Sequence, residues 1–291
     1  MKFEFEAIGT LWQIDISHSV SVNTEKELYD AIRTRIDDFD RVYSRFKEDS
    51  LVMKMKDSIG EYTLPDDAKS MLMLYHALYK RTGGMFTPLV GDILSDAGYD
   101  STYSLVEKSE PKPALIWEEA IEYNHPKINL KQKAILDFGG AGKGYLVDIV
   151  ADIIRSYWFR EFVVEAGGDM VHSGKEKIRV GLEHPKNRDE AIGIAIIGNQ
   201  SICGSATNRR VWGNWNHVIN PRTAKPAEDI LAVWTIAGST LLADALSTCL
   251  FFVSPDTLTD VYDFEFVIIK SDMSVVYSKG FNGEIFVRSR P

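Results

Sequence analysis

The chain of 291 residues has only two cysteines, Cys203 and Cys249, and no run of 18 uninterrupted apolar residues. Two cysteines are too few for a disulfide scaffold, and no Cys/His cluster has zinc spacing, so both are interpreted as free core thiols of a reducing compartment. The missing apolar run excludes a transmembrane helix. The N-terminal residues alternate polar and apolar without a continuous apolar core, which predicts no signal peptide and a cytoplasmic location.

Basic residues are also in the minority, because 33 Lys and Arg face 42 Asp and Glu, for a net charge of −9. A protein that grips nucleic-acid phosphates needs a basic face, so this balance argues against nucleic-acid binding. A small anionic ligand held by backbone amides and a cation is still compatible with it. A chain of this length buries enough surface to fold without disulfides or metal, and we interpret residues 1–291 as a single domain without a clean linker.

Hydrophobic periodicity predicts a strand over residues 3–16 and an amphipathic helix over 25–44 that begins at a capping-box pattern, 24–27. A second helix is expected over about 66–82, ended by Gly83-Gly84. Further strands are expected near 135–138, 162–166, 178–182, 191–197, 230–237, 265–270 and 274–278, and further helices after the glycines at 139–144 and near 241–252. Because strands and helices do not alternate regularly, the pattern favours an α+β fold over a doubly wound sheet.

A glycine-rich turn at the start of a helix, within residues 137–148, is the first candidate binding element. Glycines at this place let the backbone approach a ligand and direct free N–H groups at an anion, and Lys143 adds a positive charge. The spacing matches neither the P-loop nor the dinucleotide GxGxxG pattern. A tight turn without a ligand is the alternative interpretation.

Asp244 and Thr248 are the second candidate element, since they lie one helical turn apart on the same face. A carboxylate and a hydroxyl placed in this way are hard oxygen ligands suited to Mg²⁺. The alternative is an ordinary helix in which the Asp complements the dipole and the Thr bonds back to a carbonyl.

His217 is the third candidate element, at a predicted strand end before the turn Asn220-Pro221. Histidine has an unperturbed pKa of about 6.5 and can therefore serve as a base near neutrality. A hydrogen-bonded structural histidine is the alternative.

These elements stand in an order that resembles the ApbE family of flavin transferases over nearly the whole chain. The family's Met-Gly-Thr, Ser-x-aromatic and Gly-x-Phe-Asp-Pro motifs are similar to residues 8–10, 44–46 and 84–88. Its long glycine motif, its Gly-Gly-Asp, its His-Ile-Ile-Asp-Pro-x-Thr-Gly and its Ala-Asp-Ala-x-x-Thr are similar to 137–145, 167–169, 217–224 and 243–248. Each motif alone is weak, but the ordered set is specific.

The resemblance implies a two-lobed α+β fold, with mixed or antiparallel sheets packed with helices, that binds FAD and Mg²⁺. It implies transfer of FMN from FAD to a threonine or serine hydroxyl of an acceptor flavoprotein, with release of AMP. By this resemblance His217 is the base that activates the acceptor hydroxyl, and the metal ligands are Asp244, Thr248 and the carbonyl of Gly140. The residues implied to contact FAD are Ile8, Phe46, Met85, Phe86, Thr87, Asp137, Lys143 and Ile219.

The sequence departs from the family motifs at several positions. Thr87 and Asn220 each replace an Asp, and Ile8 replaces a Met; a Ser-Gly-x-Tyr motif has Ala206 and Asn208 as its second and fourth residues. None of these changes removes the metal pair, the lysine or the histidine, so activity is expected. An FAD pyrophosphatase, which some relatives are, and a non-catalytic flavin-binding module are the alternatives.

Overall fold

The structure is a computed structural model that describes residues 1–286. Its helices are α1 (Val22–Tyr43), α2 (Leu51–Met55), α3 (Ala68–Arg81), α4 (Gly91–Asp96), α5 (Trp117–Ala120), α6 (Gly142–Ser156), α7 (Thr240–Cys249) and α8 (Asp256–Thr259). Its strands are β1 (Lys2–Ala7), β2 (Thr10–Ile16), β3 (Gly60–Thr63), β4 (Ile121–Asn124), β5 (Lys127–Leu130), β6 (Phe162–Ala166), β7 (Asp169–Ser173), β8 (Ile178–His184), β9 (Asn187–Ile197), β10 (Ser201–Ala206), β11 (Val211–Trp212), β12 (Trp215–Asn216), β13 (Ile219–Asn220), β14 (Lys225–Pro226), β15 (Ile230–Ala237), β16 (Phe264–Lys270), β17 (Val275–Tyr277) and β18 (Gly283–Ile285).

Eight strands form a central sheet in the order β1-β2-β6-β7-β10-β15-β16-β17, and every pair of neighbours is antiparallel. Two three-stranded sheets have the orders β18-β9-β8 and β3-β5-β4, and β11-β12 and β13-β14 are two-stranded. The predicted α+β class is confirmed, with antiparallel sheets.

The central sheet is the middle of three layers, as the alternation along its strands shows. In β16, Phe266 and Ile268 join the core that contains the buried faces of α1, α6 and α7. Val267 and Ile269 point to the opposite face and pack with residues of β8 and β9. Both cysteines are buried and free, as predicted. Within residues 1–286, no helix combines the length and apolar character needed to cross a membrane.

The predicted strand over residues 3–16 is wrong, because the segment is a hairpin of β1 and β2. Ile8 and Gly9 form its turn with φ of 47° and 72°, and a two-residue turn with both φ values positive matches the twist of a hairpin. The sequence carries a signal of this break. The apolar residues are odd-numbered before the turn, as at Phe3, and even-numbered after it, as at Trp12 and Ile14.

The predicted helix over residues 25–44 is confirmed as α1, but its predicted capping box is wrong. Ser21 is the N-cap, and its hydroxyl accepts the N–H of Thr24 at 3.2 Å, so Thr24 already lies in the first turn. The helix predicted over 66–82 is α3, and Gly83 and Gly84 follow it with φ of 62° and 91°.

Residues 135–138 do not form the predicted strand. They are an extended segment held by the bond from the Asp137 N–H to Pro88 O at 2.8 Å and by the bond from the Ile135 N–H to Asp92 Oδ2 at 3.0 Å. The segment is apolar because it passes through the core, not because it pairs in a sheet. In contrast, the central strand β10 was not predicted, since its sequence SICGSA is short and rich in small residues.

Candidate active site

A cavity of about 620 Å³, the main cavity, lies at the end of the central sheet where the β1–β2 and β6–β7 turns meet the start of α6 and one face of α7. All of the site residues predicted from the sequence line it: Ile8, Phe46, Met85, Phe86, Thr87, Asp137, Gly140, Lys143, His217, Ile219, Asp244 and Thr248. They come from six separate stretches of the chain, so the fold brings together residues that the sequence keeps far apart.

The three oxygen groups predicted to hold a metal lie close together. Thr248 Oγ1 is 3.4 Å from the carbonyl oxygen of Gly140, and Asp244 precedes Thr248 by one turn of α7. The position of α7 is fixed from α6, because the carboxylate of Asp148 accepts the N–H groups of Thr240 and Leu241 at 2.9 and 2.8 Å. The carboxylate at this helix N-terminus satisfies two backbone donors and complements the helix dipole.

Gly144 brings α6 into direct contact with α7. Its N–H donates to Asp244 Oδ2 at 2.9 Å. A Cβ at this position would lie 2.4 Å from the Thr240 carbonyl oxygen and 2.6 Å from the Asp244 Cβ, so the close approach requires glycine.

We expect Gly144→Ala to lower the free energy of unfolding by about 1–3 kcal/mol, because the added methyl group must push α7 away. The same shift should displace Asp244 from its place beside Thr248. Gly142→Ala is the matched control in the same helix, since its Cβ would meet ordinary contacts, 3.4 Å to the Phe138 Cβ. Urea unfolding of both variants tests this, and equal stability of the two would contradict the close packing of the helices.

Asp244 shares its buried surroundings with Asp169 and Lys143. Lys143 Nζ forms an ion pair with Asp169 and donates to the carbonyl oxygen of Ala166 at 3.2 Å. Burial and the carboxylate of Asp169 raise the pKa of Asp244. Burial alone would lower the pKa of Lys143, but the carboxylates of Asp169 and Asp244 outweigh it and raise that pKa. Two carboxylates therefore face one cation here.

The donor set fits a hard divalent cation. It offers a buried carboxylate with excess negative charge beside it, a hydroxyl and a backbone carbonyl. In the part of the chain that the structure describes, no cluster of three or more His, Cys, Asp and Glu side chains could hold a metal. A cation at Asp244 would thus need oxygens of a substrate or water to complete its shell, which is the coordination that Mg²⁺ commonly accepts.

Asp137 is bound mainly by Arg45, a residue that the sequence analysis did not single out. Its carboxylate pairs with Arg45 Nε, and its Oδ1 accepts the N–H of Gly139 at 2.7 Å, which holds the glycine turn in shape. The buried Arg45 guanidinium lies 4.2 Å from the ring centroid of Phe46 and 4.6 Å from that of Tyr99. The position of Arg45 inside the Ser-x-aromatic motif is the sequence feature that could have identified it as a site residue.

Aromatic rings form one wall of the main cavity. Phe46 stacks on Tyr103, with ring centroids 4.8 Å apart and 17° between the planes, and Phe86 stacks on Tyr75 at 4.6 Å and 16°. The hydroxyl of Tyr75 is buried without a hydrogen-bond partner among the described residues. Nothing in the sequence pattern distinguishes Tyr75 from an ordinary core residue of α3.

The segment 85–87 reaches the cavity with its middle and last residues buried. The hydroxyl of Thr87 accepts the N–H of Leu89 at 3.2 Å, so this departure from the family's Asp serves the local turn. Met85 is half-buried at the cavity, as is Ile8 in the β1–β2 turn, while Ile219 in β13 is buried.

His217 lies between β12 and β13, half-buried at the main cavity. Its Nδ1 is buried and has no hydrogen-bond partner among residues 1–286. Burial and the nearby Arg210 lower the pKa of His217 to about 4. The ring is therefore neutral at pH 7, and the same shift makes it a weaker base than an ordinary histidine.

This lowered pKa makes stability depend on pH in a defined direction. Between about 4 and the ordinary 6.5, the unfolded chain protonates His217 and the folded protein does not. We expect the free energy of unfolding of the wild type to fall, relative to His217→Gln, as the pH is lowered through this window. Urea unfolding at several pH values measures it, and a constant difference between the two proteins would show that His217 titrates normally.

The fold and the cavity together define an α+β protein whose site combines a glycine turn, a lysine and hard oxygen donors. The pattern that defines the ApbE family matches residues 8–265, and the chain belongs to this family. The resemblance seen in the sequence motifs is thereby confirmed.

Curated relatives agree with this assignment. The chain is 23% identical over 280 residues to a protein of Escherichia coli K12 named FAD:protein FMN transferase, an alignment that covers 89% of this chain and 80% of the relative. A protein of Haemophilus influenzae with the same name is 25% identical over 302 residues, covering 93% and 87%.

Solved structures share the fold. The ApbE protein of Thermotoga maritima superposes with a TM-score of 0.84 at 22% identity, covering 96% of this chain and 97% of that one. The flavin transferase ApbE of Vibrio cholerae gives a TM-score of 0.78 at 17% identity, covering 97% and 96%.

Proposed function

We propose that this protein is an Mg²⁺-dependent FAD:protein FMN transferase, which moves FMN from FAD to a threonine or serine hydroxyl of an acceptor flavoprotein and releases AMP. The observation that carries this proposal is the meeting of the glycine turn, the oxygen groups of α7 and a neutral histidine at one cavity. Family membership and the name shared by the relatives support it.

The start of α6 suits the pyrophosphate of FAD. The N–H of Gly139 donates to Asp137, and those of Ala141 and Gly142 donate to the carbonyl oxygen of Phe138. Among the described residues, the N–H groups of Gly140 and Lys143 are therefore the ones of this turn left for an anion. Lys143 adds a positive charge at the same place, although part of that charge is balanced by Asp169. The wall of stacked rings that includes Phe46 offers flat apolar surface to the ring systems of FAD.

Gly140, Asp244 and Thr248 would hold Mg²⁺, through a carbonyl, a carboxylate and a hydroxyl oxygen. Bound there, the ion would supply neutralisation of the charge on the pyrophosphate. The role of the protein groups is to keep these oxygens in place, which Asp148 and Gly144 do by fixing α7 against α6.

His217 would take the proton from the acceptor hydroxyl as that oxygen attacks the phosphorus of the FMN half. One phosphorus–oxygen bond forms to the acceptor, and the bond to the AMP phosphate breaks, so AMP leaves with the electron pair. A base that is already neutral at pH 7 needs no deprotonation before it acts.

The test is incubation of the purified protein with FAD, Mg²⁺ and the flavin-free forms of flavoproteins that carry FMN on a threonine or serine. Covalent FMN on an acceptor, with one AMP released for each FMN attached, is the expected result. Intact FAD after prolonged incubation with Mg²⁺ and every acceptor would instead indicate a flavin-binding module without activity.

An FAD pyrophosphatase is the second candidate, because water can attack the same phosphorus. Asn208, which replaces the tyrosine of the family motif, does not line the main cavity; its Nδ2 donates to Pro185 O at 2.6 Å. A lost contact at that position would leave the flavin or the acceptor less well enclosed. Release of free FMN and AMP at the same rate with and without acceptor would favour this activity.

A further inference from the structure

A second space of about 290 Å³, here called the side cavity, adjoins the main cavity. It lies between the central sheet and β8, and its lining includes Val180 of β8, Trp234 of β15 and Glu165 of β6. The residues 204–206 at the end of β10 line both spaces. The two cavities therefore meet along the last residues of this strand.

One edge of β10 is open at this junction. On one side, β15 pairs with β10 along its whole length, from Ser201 to Ala206. On the other side, the pairing with β7 ends at Cys203, and the last bond on that side runs from the Gly204 N–H to Gly168 O at 3.0 Å.

The direction of the free backbone groups follows from the alternation of an antiparallel strand. The Gly204 N–H points to the β7 side, and the Thr207 N–H points to the β15 side, where it donates to Leu231 O at 3.0 Å. The N–H of Ala206 therefore points to the β7 side. No strand of residues 1–286 pairs with it there.

The open edge is connected to the reacting groups through Ser205. The hydroxyl of Ser205 is hydrogen-bonded to that of Ser247 at 2.7 Å. Ser247 lies on α7 between Asp244 and Thr248. A chain paired with this edge would thus run beside the helix that carries two of the proposed metal ligands.

We propose that an extended segment of the acceptor protein pairs with the open edge of β10 at residues 204–206, places its hydroxyl in the main cavity and continues into the side cavity. This inference rests on the proposed function. FAD would fill the main cavity, so the attacking hydroxyl must arrive by another route, and the side cavity shares the residues 204–206 with it. Open strand edges are templates on which an extended segment adds by main-chain hydrogen bonds.

The charges of the side cavity favour a segment with a basic residue or another hydrogen-bond donor. Arg209 is already paired with Glu183 at 3.0 Å. The carboxylate of Glu165, also at the side cavity, forms no direct ion pair or side-chain hydrogen bond with another residue of the described chain, and Lys143 and Arg209 act on it only at longer range. A donor on the acceptor would supply the partner that Glu165 lacks.

The first test uses short synthetic peptides that carry one central threonine between randomised residues, with FAD and Mg²⁺. We expect the wild type to attach FMN to a subset of them, enriched in basic residues on one side of the threonine. Val180→Trp, which fills the side cavity, should lower kcat/KM for these peptides by about tenfold or more, because it removes the space for a buried part of the interface. FAD affinity and FAD hydrolysis without peptide should not change.

Arg179→Trp is the matched control, because it places the same ring on the next residue of β8, which is exposed and does not line the side cavity. We expect Arg179→Trp to attach FMN to the peptides with the same kcat/KM as the wild type. Thermal unfolding of both variants identifies a general loss of fold. Equal peptide labelling by folded Val180→Trp and by Arg179→Trp would overturn the proposal.

The second test needs no variant. Pairing with a strand edge uses the backbone groups of alternate residues, and the open edge is only three residues long. N-methylation of a labelled peptide should therefore abolish transfer at the one or two positions that face the edge and spare the residues next to them. Uniform tolerance overturns the proposal. Transfer to a folded flavoprotein but to no peptide also overturns it and leaves the proposed function intact, whereas transfer to neither overturns the proposed function itself.

Discussion

Asp244→Ala is expected to abolish Mg²⁺-dependent turnover while much of the affinity for FAD remains. The carboxylate is the only charged group among the three proposed metal ligands. It also accepts the N–H of Gly144, but the aromatic wall makes no hydrogen bond to it and should still hold the nucleotide. Charge neutralisation and positioning supply most of the catalysis of phosphoryl transfer. Losing the ion should therefore cost several kcal/mol, or about 10³-fold in rate.

Two further variants make this experiment sharper. Asp244→Asn keeps an oxygen that can accept the N–H of Gly144, so a loss of activity in this variant reports on charge rather than on packing. Asp152→Ala removes an exposed carboxylate of α6 that pairs with Arg155, and it should leave the rate unchanged. Rates and FAD affinity are measured over a range of Mg²⁺ concentrations. Near-normal Mg²⁺-dependent rates in Asp244→Ala would show that the metal assignment is wrong.

His217→Ala is expected to slow FMN transfer by about 10²–10⁴-fold, the usual contribution of a general base, while FAD binding changes little. In the proposed reaction the histidine only takes the proton from the acceptor hydroxyl. If His217 served only to pack beneath the neighbouring turn, its removal would instead lower the melting temperature and leave normal turnover in the folded fraction.

Three measurements on this variant separate the two roles: FAD affinity, single-turnover rate and thermal stability. His76→Ala is the control, because His76 stacks on Trp117 and does not line the main cavity. A stable His217→Ala protein that binds FAD but hardly transfers FMN supports the base. A less stable protein with full specific activity would exclude that role.

Elements with strong local signals could be predicted from the sequence. Helices α1 and α7 have regular apolar spacing, and the hairpin of β16 and β17 has two apolar runs around a short turn. The strand β10 has no such signal, because its place in the sheet is decided by β7 and β15 on either side. Tertiary context overrides local propensity most easily in short strands of small residues.

Site residues, too, can be predicted from the sequence only where a local pattern marks them. The site residues predicted from recognisable motifs, such as Lys143 and Thr248, line the main cavity. Arg45 was not identified because its partner Asp137 is 92 residues away, and a salt bridge between distant residues leaves no local pattern. Tyr75 was missed because its unpaired hydroxyl can be seen only when the surrounding packing is known.

The order of strands in the central sheet has a consequence for how such chains can change in length. Neighbouring strands follow the order of the sequence, and the longer segments that emerge between neighbours are 17–161, 174–200, 207–229 and 238–263. The entropy needed to close a loop grows only slowly with its length. Each segment can therefore gain or lose residues without changing which strands pair. Insertions and deletions in the loops of these segments can reshape the rim of the cavity while the pairing of the central strands is kept.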